Sequence, residues 1–526
     1  VTQPPKITDL RLLITAAEAY PALERAFLAA ETEISASFLV FDLTTRLRSP
    51  EAREIGETWF DLILHCLRRG VALRFVLSDF DPAARPEMHK GTWHSLRRFI
   101  AAAELAGPEA RLEVKAALHP AQTGILPRLL LWPMIYKRLW DLAQDLNALS
   151  APQRSARLRD MPAIAARMRH AADGTVSPRF WALPKLYPGT HHQKLAVIDR
   201  KWLYIGGLDL DERRYDTTGH DRPSSQTWHD VQLLLRGPVA EDAATHLDQF
   251  LDLVSGKRRP ARRGPGQGRD TAPLLTTLSR RRRGPIAHIG PKTISSALYQ
   301  RHISAVSRST RLIYLESQYF RHVSFARALA RAARRNPDLG LVLMLPGAPE
   351  ELVFEHRKGL DTRMGEWLQA RCLRILQRSF GPRLFVGGAA QKRDPETAIP
   401  SGRAHLSGAP LIYIHAKVSI FDEREAIVSS ANLNGRSFRW DTECGVHLTD
   451  PEEVAALRQR LMQHWLPDGA GAAFFADATA VSAWRGLALS NAALAPQDRR
   501  GFVVPYDLHA AEAFGTPVPF VPEALV

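Results

Sequence analysis

His191-His-Gln-Lys-Leu-Ala-Val-Ile-Asp199 and Ile414-His-Ala-Lys-Val-Ser-Ile-Phe-Asp422 are the two stretches whose reading decides the fold of this chain. Each carries His-x-Lys, then four residues, then Asp. In a strand, residues i and i+2 project to one face. His192 therefore shares a face with Lys194, and His415 with Lys417. An imidazole held beside an ammonium is costly between two cations unless an anion sits with them. Phosphate suits the place: Lys holds its oxygens, and His attacks phosphorus or moves a proton. A single copy would be read as a core histidine. Two copies at identical spacing make chance a poor explanation.

The surroundings of the two stretches also repeat. The first half runs Ile34-Ser-Ala-Ser-Phe-Leu-Val-Phe41, a helical stretch at 51–69, Val71-Ala-Leu-Arg-Phe-Val-Leu77, a strand near 111–114, and then the first motif. The second runs Arg311-Leu-Ile-Tyr-Leu-Glu-Ser-Gln-Tyr-Phe320, a helix near 325–335, Leu339-Gly-Leu-Val-Leu-Met-Leu345, Arg383-Leu-Phe-Val386, and then the second motif. Strands alternating with helices predict an α/β fold, duplicated, with pseudo-two-fold symmetry. The expected divisions are a first half at 1–255 with a helical insertion at about 122–187, a basic linker at 256–284, a second half at 285–465, and an extension at 466–526 packed on the second half. In the insertion, Leu129, Trp132, Tyr136 and Trp140 fall on one helical face, which reads as core packing or as a membrane-interface element.

The 526 residues, 45% of them hydrophobic and 24% charged, suit a globular chain with ample core. No run reaches the roughly 18 apolar residues of a membrane span, and residues 1–6 lack a secretory layout. Cys66, Cys372 and Cys444 are odd in number and far apart, so no disulfide framework is expected. The expected location is the cytoplasm or the periphery of a membrane, or outside the cell by export without a visible signal. Net charge is +15, and ten Lys/Arg against one Asp lie between Lys257 and Arg283. The basicity is concentrated in that Pro/Gly-punctuated stretch, which reads as a solvated linker or as a tether for an anionic surface.

Downstream of each motif, small residues recur: Ile205-Gly-Gly-Leu-Asp209 and Val428-Ser-Ser-Ala-Asn432. They would let backbone approach a phosphate, to which Asn432 could donate. An acid follows in each half, Asp230 and Glu443. A carboxylate on the far nitrogen of each His would fix its tautomer and stabilise an imidazolium.

These motifs together resemble the phospholipase D superfamily, and most of all its eukaryotic-type catalytic core. The resemblance rests on His191-His192-Gln-Lys194, Gly206-Gly-Leu-Asp-Leu210, Arg214-Tyr-Asp216, Trp228-His-Asp-Val231 with Gly237-Pro-Val-Ala240, Leu315-Glu-Ser-Gln-Tyr-Phe320, and Ser430-Ala-Asn-Leu-Asn-Gly-Arg-Ser437. Ser429 and Ser317 depart from the usual Gly and Asn. The appended lipid-binding domains of many eukaryotic members are not visible here.

The resemblance implies a monomer with an internal pseudo-dimer of α/β/α halves and its active site in the seam. It implies metal-independent phosphodiester chemistry, with no cofactor expected. His192 would attack phosphorus, His415 would protonate the leaving alcohol, and Lys194 and Lys417 would hold phosphoryl oxygens. Asp230 and Glu443 would orient the imidazoles, with Asp199 and Asp422 behind the His–Lys pairs. Asn432, Ser430, Gly207, Asp209 and Gln318 form the expected substrate-binding set, although a carboxylate at 209 is not expected to touch phosphate directly. The expected activity is that of a phospholipase D acting on phospholipid at a membrane surface, by hydrolysis or transphosphatidylation. The alternatives are a nuclease or other phosphodiesterase, a cardiolipin-synthase-like phosphatidyltransferase, and a non-catalytic lipid-binding protein. Nucleases of this kind are typically short with one motif per chain, which argues against nucleic acid as the partner.

Overall fold

The computed structural model describes residues 8–180, 183, 185–259, 274–282, 286–355, 359–395, 403–519 and 521–525. Seven strands form the first sheet in the order Thr8–Ile14, Val231–Arg236, Trp202–Gly206, Leu195–Ile198, Glu33–Phe38, Ala72–Asp79, Leu112–Leu118. In the second sheet the matching places are held by Leu274–Arg280, Glu443–Leu448, Glu425–Ser429, Lys417–Phe421, Leu312–Ser317, Gly340–Met344 and Leu384–Ala390. The strand directions match too. Glu33–Phe38 is parallel to Ala72–Asp79 and antiparallel to Leu195–Ile198. Leu312–Ser317 is likewise parallel to Gly340–Met344 and antiparallel to Lys417–Phe421. The chain is therefore a duplicated α/β fold, as its internal repeat predicts.

The motif strands Leu195–Ile198 and Lys417–Phe421 are buried along their whole length. Covered on both faces, they read as nearly continuous apolar runs. One face of each sheet joins a shared core in which Leu195, Val197 and Leu203 meet Val418, Ile420 and Val428. Helices Thr15–Leu28 and Trp59–Arg68 cover the outer face of the first sheet, and Val323–Arg335 and Leu360–Phe380 that of the second. The expected helix at 51–69 is broken in two. Thr58 and Asp61 form a capping box that starts a new helix at Trp59.

Leu274–Arg280 pairs with Glu443–Leu448 inside the second sheet, so the second half begins ten residues before the expected boundary at 284. Most of the basic stretch lies outside the described residues. The insertion consists of Ile125–Asn147, two shorter helices and a small ribbon around their own core. Its buried face is Ile135, Leu139, Ala143 and Leu146, not the expected Leu129–Trp132–Tyr136–Trp140 stripe. Trp132 and Tyr136 instead pack against Phe180 at ring separations of 4.8 and 5.2 Å. The first turns of this helix leave Ile125, Leu126, Leu129, Leu130, Leu131 and Met134 exposed. The extension places Ala480–Ala493 and Leu508–Phe514 on the second half. Among the described residues no helix is long and apolar enough to cross a membrane.

Asp199 and Asp422 lie far from their own His–Lys pairs, about 16 Å along the chain from Lys194 and Lys417 at ~3.3 Å per residue. Both open hairpin turns that leave three residues between the paired Ile198 and Trp202, and Phe421 and Glu425, with φ of 50° and 54° at Asp199 and Arg200 and 54° at both Asp422 and Glu423. Asp tolerates the left-handed backbone that this turn requires. The Asp199 carboxylate accepts from the backbone N–H of Glu31, Thr32 and Glu33 at 2.9, 2.8 and 3.0 Å. Asp422 accepts from those of Thr310, Arg311 and Leu312 at 2.6, 2.9 and 3.0 Å. Each thus clasps the start of the neighbouring strand. The expectation that they belong to the catalytic set is corrected, because spacing along the chain did not reveal that the strand carries them to its opposite end. Asp199→Ala should lower unfolding free energy by about 2 kcal/mol in a denaturant titration, from the loss of several hydrogen bonds to otherwise unpaired amides.

Candidate active site

The two motif strands end at a common seam, where the halves exchange backbone hydrogen bonds in matched pairs. His192 N–H donates to the Thr442 carbonyl at 2.9 Å, and Thr442 N–H to that of Thr190 at 2.9 Å. Their counterparts are His415 N–H to His229 at 2.7 Å and His229 N–H to Tyr413 at 2.8 Å. This lacing sets the side chains next to it. Glu443 follows Thr442 and lies against His192, with its carboxylate 3.1 Å from Nδ1. Asp230 follows His229 and lies 2.6 Å from Nδ1 of His415. Each histidine therefore takes its carboxylate from the other half of the chain.

When ionised, each carboxylate only accepts, which puts the proton on Nδ1 of the facing ring and the lone pair on Nε2. Burial holds both imidazoles well below their ordinary value, and the neighbouring lysine of each motif pushes the same way. Both rings rest neutral. Burial also brings Lys417 down to about 7 and raises Glu443 to about 7, while Asp230 is raised by the same cause. Lys194 Nζ donates to the His192 carbonyl at 2.8 Å, and Lys417 Nζ donates to that of His415. A neutral, oriented imidazole in each half, with a lysine beside it, can attack phosphorus or transfer a proton while the ammonium groups take up negative charge.

His192, His415, Asn432 and Gln318 line one cleft of about 1260 Å³. The side chain of His192 is 17% exposed, against 6% for His415. Asn432 donates to Gln318 Oε1 at 3.2 Å and leaves its own buried Oδ1 without a partner, while Gln318 donates to the Tyr413 hydroxyl at 3.0 Å. The other three expected substrate-binding residues do not reach the cleft. Asp209 is fully buried between Lys194 at 3.4 Å and Arg214, and it accepts from Val40 N–H at 2.9 Å. Ser430 Oγ donates to Glu443. At Gly207 a Cβ would collide with the Asp230 carboxylate, so what approaches this glycine closely is a side chain of the site and not a ligand. These three position the Lys194 ammonium and the two carboxylates.

Sequence reasoning missed Arg214, which ion-pairs with Asp209 and also lines the cleft, and the tyrosines Tyr319 and Tyr413 around Gln318. Arg214-Tyr-Asp216 stood in the sequence as a motif, but nothing in its spacing tied it to Lys194.

Residues 303–465 match the family model described as cardiolipin synthase, PLD-like domain. Phospholipase D1 of Schizosaccharomyces pombe is 26% identical over 335 residues, covering 49% of this chain and 24% of that protein. Phospholipase D2 of Bos taurus is 24% identical over 372 residues, covering 62% of this chain and 36% of that protein. The chain thus spans between 24% and 36% of the length of these two relatives. Among solved structures, phosphatidylserine synthase from Haemophilus influenzae Rd KW20 shares the fold with a TM-score of 0.50 at 11% identity, covering 88% of this chain and 87% of that one.

The exchange of carboxylates has a spectroscopic consequence. In ¹⁵N-histidine spectra, Glu443→Gln should shift the ring nitrogens of His192 and leave those of His415 in place, although Glu443 and His415 belong to the same half. Asp230→Asn should do the converse. Pairing within each half would give the opposite assignment.

Proposed function

Since this chain belongs to the phospholipase D superfamily, we propose that it cleaves the head-group phosphodiester of glycerophospholipids by way of a phosphohistidine. The observation that carries this reading is the pair of neutral histidines facing one cleft, each held through Nδ1 by a carboxylate from the opposite half. Nε2 of His192, on the more open ring, attacks phosphorus as the bond to the head-group oxygen breaks, and His415 delivers a proton to that oxygen. Water then attacks phosphorus, His415 takes its proton, and the P–N bond breaks to free His192. An acceptor alcohol in place of water gives transfer.

The fixed charges of the site balance in their ordinary states. Lys194, Lys417 and Arg214 face Asp209, Asp230 and Glu443. A phosphodiester therefore brings the one uncompensated negative charge, which favours a proton on His415 when substrate is bound. Lys194 and Lys417 would turn from their carbonyl partners to the phosphoryl oxygens.

The lining supports a lipid over a nucleic acid. Seven Arg and eight Asp/Glu line the cleft, a poor match to a polyanion that needs a net positive track. Leu126, Leu130, Leu131 and Met134 of the long inserted helix line the same cleft and are exposed, Leu130 by 74%. An apolar helix end beside the cleft is suited to lie in the head-group region of a bilayer and bring lipid phosphate to the seam.

His192→Ala and His415→Ala should each lower turnover of a head-group-labelled phospholipid by about 10³-fold or more with an unchanged circular dichroism spectrum. With a substrate labelled in the phosphatidyl phosphate, His415→Ala should retain acid-labile label on the protein and His192→Ala none. Cleavage of plasmid DNA in place of lipid would overturn the lipid assignment. For the membrane surface, the test pair is Ile125→Ser/Leu129→Ser, two exposed residues outside the cleft lining. This variant should bind anionic vesicles about tenfold more weakly, the equivalent of about 1.4 kcal/mol. Its turnover of a short-chain soluble lipid should stay within about threefold of wild type. Equal vesicle binding would remove the helix from the docking surface.

A further inference from the structure

Behind the seam, three histidines from distant parts of the chain converge. One ring nitrogen from each of His220, His229 and His464 lies within 4.8 Å of the other two. His220 and His229 are fully buried, and His464 is half-buried at the end of helix Pro451–Trp465. The ring centroids are 4.8 Å apart for His229 and His464 and 5.1 Å for His220 and His464.

The outer nitrogens of the two buried rings are already held. His220 Nδ1 lies 2.7 Å from Asp216, and His229 Nε2 lies 2.9 Å from Glu316. Those carboxylates are themselves fixed. Asp216 also accepts from Trp228 N–H at 2.7 Å, and Glu316 from Tyr314 Oη at 2.5 Å and Trp465 Nε1 at 3.0 Å. Each acid thus sets the tautomer of its histidine and turns the unprotonated nitrogen inward. His220 Nε2 stands 2.9 Å from His464 Nε2, while His229 Nδ1 is buried with no partner at all. His220 is held in a left-handed backbone conformation, φ 51°, to present its ring there.

A hydrogen bond between two neutral imidazoles would account for the 2.9 Å contact alone. It leaves His229 Nδ1 orphaned at a cost of about 1–3 kcal/mol, and it leaves two buried carboxylates without a cation at the centre they surround. We propose that His220, His229 and His464 bind a divalent transition-metal ion of the zinc type, with water as the remaining ligand. Carboxylate-oriented histidines are the usual support of such ions. Zn–N bonds of about 2.0–2.1 Å at tetrahedral angles require nitrogens about 3.3 Å apart, within reach by small ring movements from the present spacings. Three neutral ligands, one dication and the carboxylates of Asp216 and Glu316 then balance in charge.

The ion would be structural. It ties His220 and His229 of the first half to His464 of the second, and His229 is laced to His415 and adjoins Asp230. The family resemblance implied chemistry without a metal and did not bear on a structural ion. Here the three ligands are separated by 9 and 235 residues and meet only in the fold.

The test uses the full chain loaded with Zn²⁺, desalted and analysed by elemental mass spectrometry. About one zinc per chain should remain, and Co²⁺ loaded in its place should give the intense visible d–d bands of a tetrahedral site. His464→Gln and His220→Asn should each lose the ion and the bands. Stripping the wild type with a strong chelator should lower Tm by at least about 5 °C, and the same treatment should leave Tm of the His464→Gln variant unmoved. Only trace zinc on the desalted wild type, or undiminished zinc on both variants, would overturn the proposal. The cobalt spectrum is read on the wild type, so it decides the matter even if a variant fails to fold.

Discussion

Two lysines and three carboxylates are buried at the seam of this molecule beside two histidines, and neither half can satisfy them alone. Each buried ion costs several kcal/mol of lost hydration unless it is paired and hydrogen-bonded. The pairing crosses the seam twice, Glu443 to His192 and Asp230 to His415. Separating the halves would leave a carboxylate without its imidazole on each side, in surfaces otherwise made of sheet core. The same groups that favour phosphodiester chemistry therefore hold the duplicated fold together. Gly207, Ser430 and Asp209 belong to this constraint, since they fix Asp230, Glu443 and Lys194 in place without touching the cleft.

The motif strands connect the constraint to the rest of the architecture. At one end, each strand carries a His–Lys pair into the seam. At the other, a hairpin turn places Asp199 or Asp422 on the backbone amides that begin the adjacent strand. Between them lie buried apolar residues packed on both faces. Sliding a strand by one residue would turn its His and Lys to the wrong face and pull its aspartate out of the clasp. The motif is thus a unit of register as well as of chemistry, and that is why the aspartate occurs at a fixed distance from the histidine.

Around this rigid centre the surfaces differ in character. In front, the cleft runs from the histidines to an exposed apolar helix end. Behind, the lacing through His229 leads to a buried cluster of imidazoles backed by Asp216 and Glu316. The first opens the site to solvent, and the second lies buried behind it. Both depend on residues that lie outside the two His-x-Lys motifs.

The sequence alone determined the α/β class, the duplication, and the two His–Lys pairs, because these rest on local signals: strand periodicity, motif spacing and the order of elements. It also marked Asp230 and Glu443 as partners of the histidines. Which acid serves which histidine was decided only by the tertiary structure, since the exchange depends on how Thr442 and His229 lace across the seam. The fold likewise moved Asp199 and Asp422 out of the site, turned the buried face of the inserted helix to Ile135 and Leu139, and drew the linker boundary back to Leu274. The pairing of Arg214 with Asp209 and the His220–His229–His464 cluster were invisible for the same physical reason. Their partners are set by contacts between elements remote in sequence, and linear spacing carries no information about which ends of two strands will meet.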